Sequence, residues 1–433
     1  MIRILHFNEI SREEILNRDI RAEEDVSAAV DAILSRVRTG GDAALLEYTR
    51  QLDGAALERL QVTQEELDAA DRAVDPEFRR ILETAAAHIR EFHEKQVHQN
   101  FVLTRENGAV MGQRYTPIER VGVCVPGTPT AFPSTVLMDV IPAKIAGVKE
   151  IVMVTPPAKD GSISPQALVA ARIAGVTRIF KCGGAQAVAA LAYGTESIPR
   201  VDKVVGPGGI YVATAKRKVY GLVDIDMIAG PSEILVLADE QCDPAWVAAD
   251  MLSQAEHDRL ATAVLVTNSQ PLAQAVQAEL EVQLEQLPRR DIARASIEDN
   301  GKIIVTENWD DALEAVNAIA PEHLELCVED PFAMLARVRN AGSIFLGRHV
   351  PEALGDYFAG PNHTLPTSGT ARFSSPLSVD DYVKKSSFLY YSPEALAQEA
   401  AQIAAFAEQE GLHAHARSVT IRTEAAKKTG GAL

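Results

Sequence analysis

In LSQAEH, Gln254 and His257 stand three apart on a stretch with helical apolar spacing. Residues i and i+3 lie on neighbouring turns of one helix face, so both side chains can reach one ligand. In isolation such a pair is more often a hydrogen-bonded surface feature. In APEHLEL, Glu322 and His323 are adjacent after a proline. A histidine poised near neutral pH is a natural general base, and a neighbouring glutamate can activate a water. The competing reading is a helix-to-strand connector with solvated polar residues. GDYFAGPNHTLPTSGTARFSSP carries Asp356 and His363 in a stretch too long and irregular for a hairpin. Ordered loops of that length are often functional, although an exposed linker would look similar. In EQEGLHAHARS, Glu410, His413 and His415 flank a glycine that stops a helix. If that segment is extended, His413 and His415 share a face. A metal could use both, and a solvated tail would look the same. Glycine turns near Gly127, Gly183 and Gly206 follow predicted strands and would let backbone approach a phosphate at a helix N-terminus. None fits GxGxxG followed by an acid, so spacing alone says little about a dinucleotide.

These residues need elements to hold them. The helix carrying Gln254 starts at Asp243, a good N-cap, and Pro244, a favoured first residue. From about Glu23 to Gln99 the chain reads as three helices, the second beginning after a Gly-Gly break. His88, His93 and His98 share no regular spacing there and read as solvated. From Val121, β-rich runs such as EIVMVT alternate with helical stretches such as ALVAARIAGV. That alternation signals βαβ units and a parallel sheet. A second alternating block starts at Ile234, so two α/β domains meet at MIAGPSE. From about Leu377 the chain is expected to return to helix.

The chain has 433 residues, 47% hydrophobic and 24% charged, with a net charge of −18. That is a soluble globular composition of two or three domains. The acidity excludes a phosphate-backbone partner, which asks for a basic patch, so no nucleic acid is expected. Cys124, Cys182, Cys242 and Cys327 are scattered without a CxxC pair, which fits a reducing compartment. No signal peptide and no apolar run of the ~20 residues a membrane span needs are seen, so a cytoplasmic, membrane-free protein is expected.

Taken together, DMIAGPSEILVLAD, DMLSQAEH, APEHLEL, GDYFAGPNHTLPT and EGLHAHA, in this order and at these separations, resemble histidinol dehydrogenase over nearly the whole chain. The resemblance implies a zinc enzyme that oxidises L-histidinol to L-histidine, through the aldehyde, with two NAD+. It places one Zn2+ per subunit on Gln254, His257, Asp356 and His415. It places catalysis on Glu322 and His323. Substrate contacts fall on Ser232, His323, His363 and Glu410, along with the zinc ligands. It also implies a homodimer with shared active sites, in which Glu410 and His415 come from the other subunit.

With the element pattern, the expected fold is α/β. It has two Rossmann-like α/β domains with parallel-sheet cores, helical N-terminal and C-terminal extensions, and a domain-swapped homodimer. The expected boundaries are 1–21 for the N-terminal extension, 22–122 with 233–377 for the first domain, 123–232 for the NAD side, and 378–433 for the C-terminal extension. NAD contacts would fall on Cys124, Gln186 and Gly209. Two of these depart from the family, which usually has Tyr at Cys124 and Asn at Gly209. Thr128 also replaces a usual glycine. Weaker NAD binding, a shifted mode or another cofactor preference are open. The rivals are a paralogous zinc- and NAD-dependent dehydrogenase of another polar alcohol, or a zinc- and imidazole-binding protein with an impaired NAD site.

Overall fold

A computed structural model describes residues 1–16, 26–127 and 132–428 of the chain. Thr128 lies outside the described residues, as do 17–25. The chain forms two compact units, Met1–Gln96 with Ile118–Tyr382, and Val97–Pro117 with the segment from Val383 onward.

The larger unit is built on two wholly parallel sheets. In one, β1 (Arg3–His6), β9 (Glu233–Ala238), β10 (Thr262–Thr267), β11 (Lys302–Val305), β12 (His323–Cys327) and β13 (Ser343–Leu346) lie in the order β1-β11-β10-β9-β12-β13. In the other, β4 (Arg120–Cys124), β5 (Glu150–Thr155), β6 (Arg178–Lys181), β7 (Lys203–Val205) and β8 (Asp224–Ile225) lie in the order β6-β5-β4-β7-β8. The strands are parallel because helices carry the chain back between them, and those helices cover both faces. This is why EILVLA of β9 is apolar almost throughout and buried at every position. In each sheet the first strand of the repeat is central, with later strands added first on one side and then on the other. The switch points therefore fall between β9 and β12 and between β4 and β7.

The expected pair of Rossmann-like parallel cores is present, but the grouping of elements around them differs. Residues 22–122 were expected to join 233–377. Instead the helices Ser27–Tyr48, Gln64–Ala73 and Pro76–Glu94 pack on helices of the second sheet. Val30, Leu34 and Leu45 share a core with Phe180, Val188 and Leu191, and Leu82 and Ile89 share one with Leu137 and Ile141. Two backbone bonds, Val62 N–H to Ile179 O at 2.9 Å and Lys181 N–H to Leu60 O at 2.7 Å, pin the connecting segment there. An apolar stripe says that a helix packs, not on which sheet. The Gly-Gly break is a kink at Gly41 (φ 51, ψ −137) within one helix. His93 is fully buried, bonded through Nδ1 to Ile89 O at 2.8 Å, and not solvated as expected. The N-terminal residues 3–6 are an edge strand of the first sheet rather than a separate extension.

In the smaller unit, β2 (Phe101–Thr104), β3 (Val110–Pro117) and β14 (Val383–Tyr390) form an antiparallel sheet in the order β14-β3-β2. The return to helix expected from Leu377 is thus delayed by a strand. Its alternation was masked because nearly every residue of β14 is exposed. The helices Pro393–Gln409 and His413–Lys428 follow, packed through Ala404, Ala407 and Ala416.

Candidate active site

The site is assembled where β9 and β12 begin. The helix Trp309–Ile319 ends on Ala320 in the left-handed region (φ 51), and the chain turns so that β12 starts on His323. Parallel pairing sets His323 opposite Ile234, beside the start of β9. The pairing brings together residues ninety apart in sequence. His323 Nδ1–H donates to Glu233 O at 2.9 Å, and Glu233 N–H donates to Glu322 Oε2 at 2.8 Å. A carbonyl can only accept, so this bond puts a proton on Nδ1 and turns Nε2 toward the site. Nε2 is buried and has no hydrogen-bond partner. Glu322 Oε2 lies 3.5 Å from Nδ1.

The short helix Glu352–Tyr357 supplies the facing carboxylates. Nε2 lies 3.6 Å from Asp356 Oδ1 and 3.9 Å from Glu352 Oε1. Glu352 is 3% exposed, accepts from Ser253 Oγ at 3.0 Å, and leaves Oε1 unpartnered. His363 Nδ1–H donates to Asp356 O at 3.0 Å. Gln254, at the end of its helix, is 1% exposed with both amide atoms unpartnered. His257 follows the helix end, its N–H bonded to Gln254 O at 3.0 Å. His323, Asp356, Asn362 and His363 line a cavity of 200 Å³ together with Phe345 and Leu354.

These groups titrate as a set. Burial pushes the Glu322 carboxyl up to about 8, against the pull of His323. Burial alone would lower His323, but the carboxylates of Glu322, Asp356 and Glu352 outweigh it and push the imidazole up to about 10. Burial would raise Asp356, yet the neighbouring imidazoles of His323 and His363 hold it well below the usual carboxylate range. Burial pushes Glu352 up to about 7, with Asp356 adding to the rise. Loss of water around their rings lowers His257 and His363, with Asp356 opposing in both. His257 as a whole residue is exposed.

The structure thus brings Glu322, His323, Gln254, His257, Asp356 and His363 into one neighbourhood, with Ser232 just before β9. Glu410 and His415 belong to the smaller unit, where both are exposed, Glu410 capping one helix and His415 inside the next. His413 and His415 were expected to share a face of an extended segment. They are i and i+2 of a helix and do not. Glu352 was missed altogether. In PEALGDY it looks like an ordinary acid in a first helical turn, and only its burial marks it.

A second cavity, of 280 Å³, opens at the carboxyl ends of β4 and β7 and is lined by Cys124, Pro126, Gly183, Gly184, Gly208 and Gly209. It sits at the switch point of its sheet, where doubly wound folds bind ligands. Gly209 caps the helix Ile210–Val219 with φ −63. Gln186 is buried, its side chain folded against Gly184. The Cys124 thiol is pushed up to about 12 by burial and stays neutral.

A switch-point crevice of this kind in a chain that also buries an acid–base pair is the layout of an α/β enzyme. The comparisons with known proteins narrow the class. The family profile of histidinol dehydrogenase matches residues 16–423. The chain is 56% identical over 402 residues to a histidinol dehydrogenase of Geobacillus kaustophilus, covering 93% of this chain and 95% of that one. It is 53% identical over 417 residues to a histidinol dehydrogenase of Listeria monocytogenes, covering 96% of each. The crystal structure of histidinol dehydrogenase from Elizabethkingia anophelis matches with a TM-score of 0.92 at 37% identity, over 96% of both chains. The chain belongs to the histidinol dehydrogenase family and is an oxidoreductase of histidine biosynthesis. Among the described residues no helix is long and apolar enough to cross a membrane.

Proposed function

We propose that the chain oxidises L-histidinol to L-histidine through the aldehyde, using two NAD+ and one Zn2+ per subunit in a homodimer with shared sites. The observation that carries this reading is the buried His323–Glu322 pair, with His323 Nε2 unpartnered and facing carboxylates. Membership of the family agrees with it.

A divalent ion fits the residues present. Gln254 is buried with an unsatisfied amide, and donor atoms of His323, Glu352 and Asp356 all lie within 4.8 Å of one another. Buried carboxylates and an orphaned amide are costly unless a cation meets them. Gln254, His257 and Asp356 would hold it, completed by the partner's His415. Bound zinc would supply a positive charge that ligates the imidazole and amine of histidinol.

NAD+, the hydride acceptor, fits the switch-point cavity. Glycine backbone lines that cavity, and the helix Ile210–Val219 points its N-terminus there, which suits a pyrophosphate. Cys124, Gln186 and Gly209 are its assigned contacts, and the first and last offer the cofactor no strong side-chain donor. A cation at Asp356 would offset the carboxylate charge that holds His323 protonated, and the freed Nε2 then takes the hydroxyl proton while Glu233 O fixes the ring through Nδ1. Glu322, made more basic by burial, then activates the water that hydrates the aldehyde. His323 acts as base again in the second oxidation. Ser232 and His363 contact the substrate, and the partner's Glu410 pairs with its ammonium.

Support for the homodimer comes from the smaller unit, which exposes Phe101, Val102, Leu389 and Phe406 at 55%, 64%, 74% and 71%. Side chains of that size in one small unit suit an interface. The acidic composition and reducing cysteine usage favour the cytoplasm.

The test is NADH formation by zinc-loaded protein with L-histidinol and NAD+. About two NADH per histidinol, with L-histidine as product, is the expected result. No NADH from protein that still binds histidinol in a zinc-dependent way would overturn the cofactor assignment.

A further inference from the structure

The helix Pro133–Ala146 belongs to the nucleotide-side sheet, yet it grips the segment that carries His363 on both sides of that residue. Asn362 Nδ2–H donates to Met138 O at 2.7 Å, and its Oδ1 accepts from Thr364 N–H at 2.8 Å. Thr364 Oγ1–H donates to Asp139 Oδ1 at 2.7 Å. Asn362 and Thr364 are 4% and 6% exposed, and Asp139 is fully buried. The imidazole between them bonds to Asp356 O and lies 3.9 Å from Asp356 Oδ1, and its place depends further on these two backbone anchors.

The other face of the same carboxyl meets the cofactor side. Asp139 Oδ2 is buried without a partner. Gly206 opens the GPGG turn of the switch-point cavity with φ +105. A Cβ on Gly206 would stand 3.1 Å from Asp139 Oδ2 and 2.2 Å from Cys124 O. Beneath the turn lies a buried ion pair, Lys216 with Asp226. Lys216 donates to Gly206 O at 2.9 Å and Asp226 Oδ2 accepts from Gly206 N–H at 2.8 Å. Tyr382 OH donates to Asp139 O at 2.7 Å and holds the helix in place. A buried carboxyl with one oxygen unpaired is expensive, and an apolar residue would fill the space more cheaply.

We propose that Asp139 is a positioning residue of the reaction, setting His363 through Thr364 while its second oxygen packs against the Gly206 turn, so that one side chain aligns the substrate and cofactor halves. The inference rests on the assignment of His363 to substrate and of the GPGG turn to cofactor. Misplacing a substrate contact costs binding and orientation before it costs chemistry.

The test uses the zinc-loaded enzyme and steady-state kinetics of Thr364→Val, Thr364→Ser, Asp139→Ala and Asp139→Asn. Thr364→Val replaces the hydroxyl by a methyl group, and the histidinol KM should rise about tenfold with the NAD+ KM little changed. Thr364→Ser should recover most of that loss. Asp139→Ala should raise both KM values, and Asp139→Asn, which keeps an acceptor for Thr364, should recover most of the histidinol KM. A double-mutant cycle between Asp139→Ala and Thr364→Val should be strongly non-additive. Thr364→Ser keeps the hydroxyl and tests the same contact if Thr364→Val or Asp139→Ala does not fold. Unmoved KM values in Thr364→Val, with only a lower melting temperature, would make Asp139 structural and overturn the proposal. His363→Ala is measured alongside. If it leaves the histidinol KM unchanged, the site assignment and the proposal fall together. If it raises that KM while Thr364→Val does not, the positioning role alone is lost.

Discussion

Replacing Asp139 by Asn should change how stability depends on pH, and the size of the change follows from burial. Asp139 is fully buried, and burial pushes its carboxyl from 3.8 to about 8, with Asp226 adding to the rise and Thr364 and Lys216 opposing it. Between those two values the folded protein holds a proton that the unfolded chain has released. Stability therefore falls as pH rises, at about 1.4 kcal/mol per unit, and the loss is complete only above the folded value. From about pH 5 to about pH 8 this amounts to about 4 kcal/mol at most. Asparagine has nearly the same shape and no titration, so it lacks this slope. Urea denaturation of both proteins across that range measures it, because every other group cancels in the difference. The variant should gain on the wild type steadily with pH, by several kcal/mol at the alkaline end. A difference that is flat with pH would refute the reasoning, since it would mean Asp139 is ionised in the fold at low pH or hydrated by a path the packing does not show.

Other perturbations probe the site and the cavity. Glu322→Gln should lower NADH from about two toward about one per histidinol, with aldehyde recovered by a carbonyl trap, because water activation is lost before proton abstraction is. Dialysis against a chelator should abolish turnover and added zinc should restore it, while Gln254→Ala should lower the zinc bound per subunit, read by metal analysis. Gly206→Ala should destabilise the protein by at least about 2 kcal/mol in thermal or urea unfolding, since φ is +105 and a Cβ would collide with Cys124 O. Gly209→Asn should leave the melting temperature unchanged, because φ is −63 and a Cβ there meets nothing within 4 Å, and it should lower the NAD+ KM.

Much of the site was legible in residue types. Gln254 and His257 were placed by the Asp243–Pro244 helix start and by their i, i+3 spacing, and the helix is there, running Pro244–Ala255. Glu322 and His323 were legible as an acid–base pair, but not as buried. Nothing in APEHLEL distinguishes a solvated turn from the start of a central strand whose five residues are all covered. Glu352 escaped because what marks it is its place 3.9 Å from His323 Nε2, a residue 29 positions earlier in the chain. His93 escaped for the same reason. Its buried ring abuts Asn362 at 3.4 Å, a partner from the far end of the chain.

By itself the sequence determined the local elements and their chemistry. Alternating β-branched runs and capped amphipathic helices fixed the parallel α/β class. The motifs supplied the imidazoles, carboxylates and amide that the proposed site gathers. Only the tertiary structure decided where these meet. It set the Glu322–His323 pair at the amino ends of β9 and β12, a glycine-lined cavity at the carboxyl ends of β4 and β7, and the N-terminal helices on the second sheet. It also joined Val110–Pro117 to Val383–Tyr390 across some 270 residues of chain. The physical reason is that helix periodicity and capping act over a few residues. Strand partners, burial and the pKa shifts they cause are decided by which distant segments exclude water from one another.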